Sequence, residues 1–99
     1  MQIMKQYYYN NFRKQLLDGF IDSVQYVLNS PINKQFPENI RGILINKHIS
    51  DLSSDFLKKF DFFQSNFKKQ GEQFMTYEEY TIFVKSVTDE VRYIFLDDF

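Results

Sequence analysis

Cysteine is absent from this 99-residue chain, which excludes a disulfide framework and any thiolate metal site. Tryptophan and alanine are missing as well, and only two prolines and three glycines punctuate the sequence. No apolar run approaches the roughly 18 residues of a membrane span. The opening "MQIMKQYYYN" lacks the continuous apolar stretch of roughly 7–15 residues that a signal peptide carries. A large excess of basic charge is also lacking: the formal net charge is −1, which disfavours nucleic acid as a partner. These absences lead us to expect a cytoplasmic protein with no membrane association.

Aromatic residues are abundant instead. Twelve Phe and seven Tyr make up 19% of the chain, within a hydrophobic content of 43% and a charged content of 25%. A buried aromatic or large aliphatic side chain contributes roughly 1.5–3 kcal/mol, so residues 1–99 can form a single domain with a sufficient core and no staples. Asn, Lys, Ile, Phe and Tyr, all encoded by AT-rich codons, are frequent, which points to an AT-rich genome such as that of a low-GC bacterium, its phage or a plasmid. Charge is unevenly spread. Residues 1–49 carry six basic and three acidic side chains, residues 50–99 six basic and ten acidic, and seven Asp or Glu fall within 72–99.

Periodicity predicts an all-α fold, a compact antiparallel bundle of about four helices. Over residues 4–29, Tyr9, Phe12, Leu16, Phe20, Val24 and Val27 recur at helical steps, with Gly19 at the border of the stripe as a candidate close contact. Pro31 and Pro37 end this helix, and Pro37 suits the start of a second over 37–48. Gly42 and the run "ILI" would also fit a short strand there. A third helix is predicted over 53–69 from Leu52, Phe56, Phe60, Phe63 and Phe67, with Gly71 as its stop. The fourth, over 77–96, opens with Thr76 and Glu79 at capping-box spacing and continues with a seam of Tyr77, Tyr80, Val84, Val87, Val91 and Ile94. No internal repeat is read.

Catalytic equipment is not expected. His48 stands without a second His or any Cys, so it reads as an ordinary surface or boundary histidine rather than a metal ligand. The acidic pairs Glu78/Glu79, Asp89/Glu90 and Asp97/Asp98 point about 100° apart on a helix and do not face each other across a cleft. No phosphate-binding, calcium-binding or di-iron motif occurs, and no cofactor is implied. Lys58/Lys59 and Lys68/Lys69 flank the Phe-rich segment, where they solvate the face opposite the phenylalanine stripe.

The last predicted helix has a second organised face. Glu79, Ile82, Ser86, Asp89, Glu90, Tyr93 and Asp97 share it, so that Ile82 and Tyr93 are apolar islands in an acidic strip. Apolar anchors ringed by charge are the composition of a protein-binding hot spot, and the acid would steer it to a basic surface. The wheel of the first helix places Tyr9 mid-stripe, Tyr8 at the border and Tyr7 outside, and Phe62 points away from the other phenylalanines. Tyr7 and Phe62 therefore join the candidate interface. The expectation is a small non-enzymatic protein that inhibits or neutralises a partner protein, either as a toxin or bacteriocin immunity protein or as a phage or mobile-element factor against a defence nuclease. In length and helix number the outline resembles small helical immunity proteins. The alternative is a self-associating structural or adaptor subunit, and the third reading a nucleic-acid-binding regulator.

Overall fold

The computed structural model describes residues 5–96, and among them all regular structure is helical. Five helices follow one another: α1 (Gln6–Leu28), α2 (Pro31–Lys34), α3 (Glu38–Leu57), α4 (Phe60–Lys69) and α5 (Tyr77–Leu96). The all-α class expected from sequence holds, but the described residues form five helices rather than about four, and the expected second and third helices, 37–48 and 53–69, have other bounds. Residues 40–49 lie inside α3, so the strand alternative is excluded, and the expected break between 48 and 53 does not exist. "ISDL" contains neither Gly nor Pro, and Ile45, Ile49, Leu52 and Phe56 carry one apolar seam straight across it.

The break falls instead at Lys58 and Lys59, inside the expected third helix. In an unbroken helix the Phe56 carbonyl would accept the Phe60 N–H. Here it accepts the Tyr80 hydroxyl from α5 and the Lys59 N–H at 3.1 Å. The axis turns while Phe56, Phe60, Phe63 and Phe67 all keep facing the core. Lys59 Nζ lies 4.8 Å from the centroid of the Phe56 ring, so its charge rests on an aromatic face beside the bend.

Side-chain pairs fix the directions. Ser23 meets His48 and Phe20 meets Phe56, so α1 and α3 are antiparallel. Arg92 reaches Asn46 and Ser50 while Tyr80 reaches Phe56, so α3 and α5 are antiparallel as well. Tyr9 against Phe83 and Arg13 against Glu90 make α1 and α5 parallel neighbours. From Phe20 on Phe56 to Phe12 on Phe63, partner numbers rise as those of α1 fall, so α4 prolongs the descending path of α3. The bundle thus runs up, down and up, with α3 and α4 as two segments of the descending arm.

The core is an aromatic lattice. Phe12 contacts the rings of Phe63, Phe67, Phe74 and Phe83 at centroid distances of 5.0–5.8 Å. Phe74 and Met75, in the link between α4 and α5, are buried and close one end of it. Gly71 ends α4 in the left-handed region (φ 76°), with its N–H on Lys68 O and the Glu72 N–H on Phe67 O. This is a Schellman closure, and the glycine stop is as expected. Gly19 departs from expectation: a Cβ there would meet nothing within 4 Å, so it marks no close helix contact.

Candidate functional site

The outer face of α5 is rigidly presented. Its first turn is closed by the expected capping box, with the Thr76 N–H donating to Glu79 Oε1 at 2.9 Å and the Glu79 N–H to Thr76 Oγ1 at 3.2 Å. The backbone and hydroxyl bonds from Thr76 hold the Glu79 carboxyl below the ordinary carboxylate range. Tyr80, Phe83, Val84, Val87, Thr88 and Val91 are buried beneath. Thr88 settles its hydroxyl on the Val84 carbonyl at 2.7 Å, and burial pushes the Tyr80 phenol up to about 12.

Diametrically opposite this seam stand Ile82, 69% exposed, and Tyr93, 74% exposed, with Asp89 between them. Tyr93, Asp89, Arg92 and Asn46 line a hollow of about 420 Å³ on the α3–α5 seam. Arg92 forms its wall by donating from Nε to Asn46 Oδ1 and from Nη2 to Ser50 Oγ, both at 3.0 Å.

The remaining members of the expected strip have other work. Arg13 of α1 donates to Ser86 Oγ at 2.9 Å and pairs with Glu90 Oε1 at 3.0 Å, because α1 packs along that edge of α5. Glu79 serves its own helix cap. Asp89 pairs with Lys85 at 2.9 Å and lies 3.6 Å from Arg92. Asp97 falls outside the described residues. The face is therefore a pair of apolar anchors with locally balanced charge, less acidic in effect than its composition.

Tyr7 and Phe62 lie elsewhere. The three consecutive tyrosines divide as the wheel predicts, with Tyr9 on Phe83, Tyr8 half-buried and Tyr7 73% exposed. Tyr7 rests edge-on against Tyr8 at 5.3 Å and 76°, and Phe62, 60% exposed, rests edge-on against Phe63 at 5.4 Å and 72°. Tyr8 and Phe63 both line a groove of about 300 Å³ between α1 and α4, together with Asn11, Phe12, Gln15, Asn66, Phe67 and Gln70.

A sequence signal for this groove exists, contrary to the expectation of no repeat. "YYYNNFRKQ" (7–15) and "FFQSNFKKQ" (62–70) align without a gap, matching Tyr7 with Phe62, Tyr8 with Phe63, Asn11 with Asn66, Phe12 with Phe67, Lys14 with Lys69 and Gln15 with Gln70. All eight groove-lining residues are thus four pairs of repeat equivalents. The two copies run antiparallel along α1 and α4, and the equivalent rings Phe12 and Phe67 meet with centroids 5.5 Å apart. Tyr/Phe and Arg/Lys exchanges and the placing of one copy in each half of the chain make the repeat faint in the sequence.

Among the described residues no set of three or more His, Cys, Asp or Glu converges on a point. His48 Nε2 is 2.9 Å from Ser23 Oγ at the half-buried α1–α3 seam, the boundary role expected of it. No helix is long and apolar enough to cross a membrane among the described residues. No protein-family model, curated protein or solved structure matches this chain.

Proposed function

We propose that this is a small non-enzymatic binding protein that covers a functional surface of a partner protein with the outer face of α5. The observation that carries the reading is the placement of Ile82 and Tyr93. Two large apolar side chains stand free on the back of a helix whose other side is packed into the core, and one of them, Tyr93, lines a hollow with Asn46, Asp89 and Arg92. Such anchors contribute to affinity when a partner desolvates them, and a charged rim around them sets register. Inhibition or neutralisation fits this arrangement, with a toxin to which the protein gives immunity or a defence nuclease as the partner class. The test is a photo-crosslinking residue placed at the position of Tyr93 in the native host. One discrete protein adduct, lost on Ile82→Asp, is expected, and an adduct pattern shared with a control at the position of Tyr26 would contradict the reading.

One observation favours the second reading, self-association. Ile32, Phe36, Ile40 and Ile43 are all exposed through the α2–α3 corner, spaced by four, four and three residues. Self-association through this corner predicts a dimer that Ile43→Asp dissociates, read by light scattering.

A further inference from the structure

We propose that the α1–α4 groove binds single-stranded nucleic acid, at a surface separate from the α5 face and independent of its role. Packing alone explains the repeated rings on the groove floor, since Phe12, Phe63 and Phe67 belong to the core lattice. It does not explain why the repeat extends to residues that face away from the core. Asn11, Gln15, Asn66 and Gln70 rim the groove, and none of these four amides is engaged in a side-chain hydrogen bond among the described residues. Each offers both donors and an acceptor, the chemistry that reads the edge of an unpaired base.

On each helix the exposed ring and a lysine lie seven residues apart on one stripe beside the groove. Tyr7 rests edge-on against the groove-lining Tyr8 and shares its stripe with Lys14, and Phe62 rests edge-on against the groove-lining Phe63 and shares its stripe with Lys69. Exposed rings next to a cationic track are the two components of sequence-tolerant single-strand binding: stacking platforms for bases and counter-charges for phosphates. The charge agrees. Segments 7–15 and 62–70 contain Arg13, Lys14, Lys68 and Lys69 and no acidic residue, in a chain of net charge −1. Arg13 is engaged with Glu90, and Lys14 shares Asp18 at the surface, whereas Lys68 and Lys69 have no ion-pair partner among the described residues. Each of the two antiparallel helices supplies an aromatic ring, amides and a lysine of the repeated segment.

The experiment is fluorescence anisotropy of a labelled single-stranded oligodeoxynucleotide of mixed sequence, and of the same sequence as RNA, each about 12 nucleotides long to span one such site. Binding is expected to weaken steeply between about 50 and 200 mM salt. Tyr7→Ala and Phe62→Ala should each weaken it about tenfold, the effect of losing one stacked base. Lys14→Gln with Lys69→Gln should lower the salt slope by about 1.4, two phosphate contacts at the single-strand value. Asn11→Ala with Asn66→Ala should weaken binding and leave the salt slope unchanged. All these side chains lie at the surface or groove rim, and circular dichroism verifies that each variant is folded. Absence of binding to either oligonucleotide at low salt overturns the proposal. So does binding that the ring and amide variants leave unchanged, since that is diffuse attraction to lysines. A labelled Glu-rich peptide that binds in place of the oligonucleotides and responds to the same variants would also overturn it, assigning the groove to a protein.

Discussion

The Tyr80 hydroxyl donates to the Phe56 carbonyl from inside the core, and this bond ties α5 to the α3–α4 bend. Tyr80→Phe keeps the ring and removes the donor, so it should cost about 0.5–1.5 kcal/mol in urea unfolding. The same residue sets an alkaline limit. Its folded pKa of about 12 lies above the unfolded value of 10.0, so its contribution is whole below pH 10.0 and is lost as pH rises toward about 12. Tyr80→Phe should flatten the stability profile in that window. At Gly19 and Gly42 a Cβ has open space within a helix, so Gly→Ala at each should raise stability by about 0.5–1 kcal/mol. No loss should follow, because neither glycine serves a close approach. The role proposed for Gly19 from its border position failed for that reason: a wheel gives direction, and the distance to a neighbour depends on the packing of the other helices.

Among the elements, α1 and α5 were the most legible, because each buries one stripe at regular helical steps. Phe12, Leu16, Phe20 and Val24 are buried on α1, and Tyr80, Val84, Val87 and Val91 on α5, as expected, but Tyr77 and Ile94, expected at the two ends of the α5 seam, are exposed. The capping box of α5 was legible too, being local chemistry between Thr76 and Glu79. Thr76→Ala should lower stability by about 1 kcal/mol. The depressed carboxyl of Glu79 adds a pH dependence of definite sign. Its contribution is present above the unfolded value of 4.5 and is lost as pH falls through the lower folded value. The stability difference between wild type and Glu79→Gln should therefore shrink on acidification from about pH 6 to about pH 3. The descending arm was misread because its break is not written locally. "SSDFLKKFDFF" contains no Gly or Pro to mark the break at Lys58 and Lys59, where the Phe56 carbonyl accepts the hydroxyl of Tyr80, more than twenty residues later. Likewise the expected second helix, 37–48, is only the first part of a longer α3 that buries Ile45 and Ile49 and leaves Ile40 and Ile43 exposed.

At the scale of the whole molecule, an all-α bundle was readable from sequence, while the arrangement of its surfaces was not. The candidate residues separate into different places: Ile82, Asp89 and Tyr93 on the outer face of α5, and Tyr7 and Phe62 against Tyr8 and Phe63, which line the α1–α4 groove. Ser86 and Glu90 were assigned to the α5 face because a single helix wheel cannot show Arg13 arriving from a parallel neighbour. Arg13→Ala should therefore destabilise the α1–α5 contact and release Glu90, rather than act on partner binding alone, an outcome that paired unfolding and crosslinking measurements would separate. The central claim is that the outer face of α5 is kept free for a different protein. Light scattering at low and high protein concentration, on wild type and on Tyr93→Ala, tests it most directly. The account predicts a mass unchanged by the substitution, with the 12.1 kDa monomer as the species that presents the face. A dimer that Tyr93→Ala abolishes would contradict it, by showing that the anchors are already spent on a second copy of the chain.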